Sequence, residues 1–329
     1  MASQNQNQGR LEAAPALASY LAVQQQLVQQ QIAADVAAGM LLLWPIIAFN
    51  SVDATSQPWL HAAMLQVQSG FDRSARVAAE FVQNSLWAVE PEALVLPDVP
   101  VDFPAGDVAR ALMATGPGGV KSRMPAPEEE VMPKALADST GAGVSKAMDG
   151  GRSKVIATVR DMAPARKARR RAIGWARVTD NDPCYFCGLL ASQGAFYVRE
   201  DSFKASNAKF VGDGVAKVHD HCRCSLRPVY STKDDMDERA NYFLNQWNDA
   251  EPDPSRPGET KMKAYRRNFI APPDYRLGDV LSLDERRNIV DVARRNRDVL
   301  LLGRGLREDS PQVLFWEQQI IKLGNLEAV

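Results

Sequence analysis

A chain of 329 residues exceeds a typical single domain, and 45% apolar with 24% charged residues is the composition of a folded globular protein. That balance excludes wholesale disorder, and four cysteines are too few for a disulfide scaffold of this length. A formal net charge of −1 carries no overall polyanion-binding character, so any such surface has to come from a local patch.

The first nine residues are polar and rich in Asn and Gln, without the basic n-region of a signal peptide, and secretion is not expected. Leu17, Leu21, Val28, Ile32 and Val36 then recur at spacings of four and seven, which predicts one apolar helical stripe with a Gln-rich outer face. The apolar run from Val36 to Phe49 contains Gly39 and Pro45 and falls short of the roughly 20 residues that span a bilayer, so it reads as buried helix with no membrane contact. A second stripe follows Pro58, with Leu60, Met64, Val67, Phe71, Ala78 and Val82 on one face. Two antiparallel helices make an N-terminal helical region over 1–89.

From Glu90 the composition shifts to Pro, Gly, Asp and Val, with Pro91, Pro97, Pro100, Pro104 and Pro117 set against regular helix. The stretch 90–140 reads as a linker, and its run Glu128, Glu129, Glu130 as a solvated spacer. Gly141 to Gly151 is expected to be flexible. Between Arg152 and Arg177 nine residues are Lys or Arg and only Asp161 is acidic, with a peak at Arg166, Lys167, Arg169, Arg170 and Arg171. Such a cluster is either a solvated helix face that meets an acidic partner surface or a phosphate contact, and no aromatic residues interleave with it.

Ile173 to Val178 alternates loosely and predicts a strand. Past the cysteine region, Met236, Ala240, Phe243 and Trp247 mark an amphipathic helix that ends before the breaker-rich segment 251–258. Ser282 with Glu285 is a capping-box pattern ahead of Ile289, Val292 and Leu300. Ser310 and Pro311 open a last helix whose Leu314, Phe315, Ile320 and Leu323 need an apolar surface to pack against, in this chain or another. The predicted fold class is a mostly helical α+β protein, with a small central domain over 141–232 and a helical C-terminal region over 233–329.

Chemistry concentrates between Asp180 and Tyr230, where every cysteine of the chain lies. Cys184 and Cys187 form a Cys-x2-Cys pair, and the segment His219-Asp220-His221-Cys222-Arg223-Cys224 follows about 30 residues later. A tight knuckle turn aims two such thiolates at one ion, and zinc favours tetrahedral sulfur and imidazole ligands, which makes a structural Zn2+ site the expected reading. Two further ligands have to come from His219, His221, Cys222 and Cys224. The two-residue spacing of Cys222 and Cys224 is read as one thiol that ligates while the other packs, and His219 and His221 as sharing a face, so the pair stays unassigned. Reduced cysteines packed without metal are the plain alternative.

Trp175, Asp180 or Asp182, Cys184-x2-Cys187-Gly188, Gly194 and Tyr197, closing with His219-x2-Cys222-Arg223-Cys224 and Pro228, resemble the MuF-like minor head proteins of tailed bacteriophages over about residues 140 to 232. Asp220 stands where that family often has Pro, and His221 is an additional imidazole. The resemblance implies a minor capsid or head-morphogenesis protein of the virion interior, assembled in the host cytoplasm at the portal vertex. Portal and major capsid subunits are its implied partners, and genomic DNA near Arg166 to Arg171 is a further one. The rival reading is a capsid maturation protease. It has to draw its base from His61, His219 and His221 and its nucleophile from Ser192, Ser202 or Ser225, with no motif joining them.

Overall fold

The computed structural model describes residues 2–162, 172–197, 222–233 and 235–325, with side chains from residue 15 onward except that of Tyr197. Helix α1 (Ala2–Leu43) turns back through two 3-10 turns, Trp44–Ile46 and Phe49–Ser51, into the antiparallel α2 (Val52–Val89). After an extended stretch come α3 (Ala105–Thr115), α4 (Pro117–Arg123) and the long α5 (Glu128–Met162), which packs against both members of the hairpin. Strand β1 (Gly174–Val178), helix α6 (Tyr185–Ala191), and strands β2 (Phe196–Tyr197) and β3 (Ser225–Val229) follow. Helices α7 (Glu238–Asp249), α8 (Lys261–Asn268), α9 (Leu283–Asp298) and α10 (Pro311–Gly324) complete a mostly helical α+β protein, as the sequence predicted.

The stripe on α1 is rotated relative to the reading from apolar spacing. Leu17, Leu21, Ile32 and Val36 are buried, but Val28 is 41% exposed, whereas Gln25, Gln26 and Gln29 are buried. These glutamines do not form an outer face, and the amides of Gln26 and Gln29 make hydrogen bonds between elements. Gln29 Nε2 donates to the Ser74 carbonyl at 3.0 Å, Ser74 Oγ donates to Gln29 Oε1 at 2.7 Å, and Gly151 N donates to Ser74 Oγ at 2.9 Å, which ties α1, α2 and α5 together. In the run 36–49, Val36, Met40, Trp44 and Ile47 are buried, while Leu41 and Leu42 face outward. By length and composition the helix over Pro15–Ile46 also suffices to cross a bilayer, although its inner stripe is packed on α2 and α5.

The segment Gly141–Gly151, expected to be flexible, is helix interior. A Cβ added at Gly70 would lie 2.4 Å from Val36 Cγ2, and one at Gly150 would lie 2.2 Å from the Phe71 carbonyl oxygen. Glycine costs a helix about 1 kcal/mol relative to alanine. Here the lost propensity is offset by an interhelical approach that any side chain would block.

Nor is the stretch 90–140 a plain linker, since it contains α3, α4 and the start of α5. Three of its prolines stand where helices accept them: Pro104 precedes α3, Pro117 opens α4 and Pro127 precedes α5, positions at which the missing N–H has no intrahelical partner to lose, whereas Pro133 lies inside α5. Glu128, Glu129 and Glu130 occupy the first turn of α5, where negative charge complements the helix dipole, rather than a spacer.

The sheet has the order β2-β1-β3 and is antiparallel throughout, with Trp175 opposite Phe196 and Pro228, and Val178 opposite Ser225. All five residues of β1 are buried, because helices cover the face that a two-layer sheet would leave to water. Trp175, Val178 and Leu226 join Leu17, Phe81, Val155, Ile289 and Trp316 in one apolar cluster. Phe315 and Leu323 of α10 are covered by this chain itself, through α9 and through Trp87 of α2, whose ring lies 5.6 Å from that of Phe315, whereas Leu314 is 43% exposed. The capping box forms as read, with Glu285 N donating to Ser282 Oγ and Ser282 N donating to Glu285 Oε2.

Candidate metal centre

Cys184 is the N-cap of α6, and its sulfur accepts a hydrogen bond from the Cys187 amide at 3.4 Å. This is the knuckle turn that the Cys-x2-Cys spacing predicts, and it places Cys187 in the first helical turn. Gly188 follows because nothing larger fits: a Cβ there would lie 2.8 Å from the Phe269 ring, 2.9 Å from Phe243 and 3.0 Å from Tyr265 Oη. That aromatic layer, with Tyr185 and Trp247, backs α6. Tyr185, Phe243, Trp247, Tyr265 and Phe269 are thus packing residues.

The second cysteine segment reaches the first. Cys222 Sγ lies 3.7 Å from Cys187 Sγ, the sulfurs of Cys187, Cys222 and Cys224 all lie within 4.8 Å of one another, and Cys184 packs against the group. Neither Cys222 nor Cys224 is set aside for packing alone: just ahead of β3, which begins at Ser225, both thiols turn to the same place. His219, His221 and the basic cluster Arg166, Lys167, Arg169, Arg170 and Arg171 lie outside the described residues. His61 lies exposed on α2, away from the cysteines.

The spacing fits a metal ion. Zinc–sulfur bonds of about 2.3 Å at tetrahedral angles separate the sulfurs by about 3.8 Å, and the Cys187–Cys222 separation is 3.7 Å. A disulfide would need about 2 Å.

Two features that sequence reading did not single out complete the geometry. From α5, Arg152 reaches the cysteines fully buried: Nη1 donates to the Cys224 carbonyl at 3.0 Å and lies 3.9 Å from Cys222 Sγ, while Nη2 donates to the Ser145 carbonyl at 2.7 Å and to Asp149 Oδ1 at 2.8 Å. From β1, the buried Arg177 places Nη1 at 3.7 Å from the same sulfur. On the other side, Gln26 of α1 donates from Nε2 to the Arg223 carbonyl at 3.0 Å and accepts at Oε1 from Ser225 N at 2.9 Å and Ser225 Oγ at 2.5 Å. The strand entry that bears Cys222 and Cys224 is clamped from two long helices.

The protonation of the group follows from these contacts. Hydrogen bonds from the Cys187 and Cys224 thiols, with the charges of Arg152 and Arg177 behind them, hold the Cys222 thiol below its usual range despite burial. Hydrogen bonds to Cys184 and Cys222 push Cys187 up. For Cys224 the Cys187 hydrogen bond works downward, but the Cys222 hydrogen bond and burial prevail and raise it. Burial works against the Arg177 charge, yet Cys224, Cys222 and Cys187 outweigh it and raise its pKa. Close by, burial and then the Cys222 charge push the Asp180 carboxyl up to about 6. Without a cation the sulfur group therefore holds only part of its possible negative charge, and a divalent ion would displace the remaining thiol protons.

A family model described as VG15 protein matches residues 16–250. The chain belongs to the VG15 family. This is a viral, phage-like protein family, and the matched span includes all four cysteines together with Gln26, Arg152 and Arg177. No characterised protein and no solved structure shows significant similarity to this VG15-family chain. A groove of about 380 Å3, lined by Trp87, Leu96, Lys154 and Phe315 among others, lies between α2, the segment before α3, α5 and α10.

Proposed function

We propose that this viral protein is a minor capsid or head-morphogenesis component, MuF-like in its cysteine-bearing segment, that acts at the portal vertex by binding rather than by turnover. The observation that carries the reading is the convergence of the Cys-x2-Cys knuckle and the Cys-x-Cys entry of β3 on one buried sulfur cluster, in the order and spacing of the MuF-like motifs. Cys187, Cys222 and Cys224 would hold a structural Zn2+, with Cys184, His219 or His221 as the fourth ligand. Bound there, the ion would supply cross-linking of two distant segments and no catalytic position. Portal and major capsid subunits are the partners, and genomic DNA is a further one through Arg166 to Arg171.

Of the candidate serine nucleophiles Ser202 lies outside the described residues, and the other two favour binding over proteolysis: Ser192 Oγ donates to the Leu189 carbonyl at 2.7 Å and Ser225 Oγ donates to Gln26 Oε1, so both serve as internal hydrogen-bond donors. The test is the composition of purified virions and procapsids by mass spectrometry, with co-purification of a tagged copy against portal and major capsid protein. The expected result is a few copies per particle that co-purify with portal. Absence from particles together with cleavage of capsid protein by the purified chain overturns the reading in favour of a protease.

A further inference from the structure

Buried cations facing sulfur are unusual enough to need a role. Arg152 and Arg177 are among the buried charged residues of the described chain, they come from different elements, and both point a guanidinium at Cys222 Sγ. Thiolates at Cys187, Cys222 and Cys224, with Cys184 beside them, carry three or four negative charges, of which a divalent cation cancels two. The remainder, one or two charges among buried sulfurs, would be strongly unfavourable without compensation. Asp149 takes up part of the Arg152 charge through its ion pair at 2.8 Å, whereas Arg177 Nε has no hydrogen-bond partner among the described residues and its charge is directed at the sulfurs.

We propose that Arg152 and Arg177 are positioning residues for a thiolate-bound divalent cation, supplying the positive charge that lets an all-sulfur or nearly all-sulfur donor set remain ionised inside the fold. The inference rests on the metal reading above and adds to it a specific division of labour: the cysteines bind, and two residues outside the cysteine motifs determine how tightly. It follows that metal affinity is governed in part by α5, so the long helical body and the knuckle are one energetic unit. Arg177 is the purer case, because Arg152 also bridges the Ser145 and Cys224 carbonyls and would be missed for that reason alone.

The experiment uses the full chain loaded with zinc and titrated with a chelator, alongside Arg177→Gln, Arg177→Lys, Arg152→Lys and Cys222→Ser, with folding followed by circular dichroism. Arg177→Gln is expected to weaken zinc binding by roughly 10- to 100-fold, and Arg177→Lys to recover at least about half of that loss on a logarithmic scale. Cobalt substitution should preserve the sulfur-to-metal charge-transfer band in Arg177→Lys. A packing role makes a different forecast, since lysine lacks the planar fork and would then do no better than glutamine. Zinc held equally by wild type and Arg177→Gln overturns the inference and leaves the metal reading standing, as does a lysine variant as weak as the glutamine one. Wild-type chain that binds no zinc overturns the metal reading itself. Should Arg177→Gln fail to fold even in excess zinc, the lysine variants decide: near-native affinity supports charge compensation, and affinity as low as that of Cys222→Ser overturns it.

Discussion

Gln26 of α1 and Ser225 at the start of β3 stand 199 residues apart and share two hydrogen bonds, both accepted by one amide oxygen, while the same side chain donates to the Arg223 carbonyl. One fully buried glutamine thus satisfies three polar groups of the segment that delivers Cys222 and Cys224. Replacement by an apolar residue would leave those groups buried and unpaired. Gln26→Leu is expected to lower stability by on the order of 3 kcal/mol, below the sum of three separate losses because the segment can relax. Urea denaturation measures it, and an unchanged midpoint would show that water replaces the clamp.

Zinc should be stoichiometric and stabilising. Elemental analysis of the reduced full chain is expected to give close to one zinc per chain, with the thermal midpoint rising as zinc is added. At about a hundredfold excess over Kd, linkage contributes about 2.7 kcal/mol. Cys187→Ser removes a sulfur from the centre of the cluster and should abolish both the zinc content and the zinc-dependent rise. A melting curve indifferent to zinc and to chelator in the wild-type chain counts decisively against a structural ion.

The helix packing makes a sharper forecast. Gly150→Ala places a methyl against the Phe71 carbonyl, where backbone rather than a flexible side chain has to move. A loss of about 2 to 4 kcal/mol is expected, against the usual helix gain of about 1 kcal/mol for the same substitution. Gly106→Ala is the control: its nearest neighbour is the Arg110 guanidinium at 3.6 Å, so alanine there should be neutral or stabilising. Equal effects at the two sites would mean that α2 and α5 are not in close contact.

Ser282 and Glu285 provide a pH-dependent test. Hydrogen bonds from the Ser282 side chain and backbone hold the Glu285 carboxyl below its usual range in the folded chain. A depressed folded pKa means that the cap is fully present above the unfolded carboxylate value and is lost as pH falls through the folded one. Ser282→Ala is expected to cost about 1 kcal/mol at neutral pH, and less in acid, where wild type loses the same bond. Stability curves of the two proteins should converge as pH falls.

Local rules made part of this molecule legible. The capping box, the amphipathic stripe of α2, the strand at Trp175 and the knuckle turn at Cys184 and Cys187 all depend on residues within a few positions of one another. Their geometry follows from helical and extended periodicity and from turn chemistry. The assignment of a metal-ligand pattern to 184–224 was of the same kind, because sulfur type and spacing are local facts.

Apolar spacing misplaced the face of α1, since it counts Val28 as inward and glutamine as outward, and proline counting concealed α3 and α4. Which thiols converge, which amides are buried and which arginines carry uncompensated charge were decided only when α1, α5, β1 and β3 came together. Gln26, Arg152 and Arg177 resemble ordinary polar surface positions along the chain. Burial gives each its role, because a hydrogen bond or a charge that water would screen becomes decisive once water is excluded, and nothing in the neighbouring residues announces which polar side chains the packing will enclose.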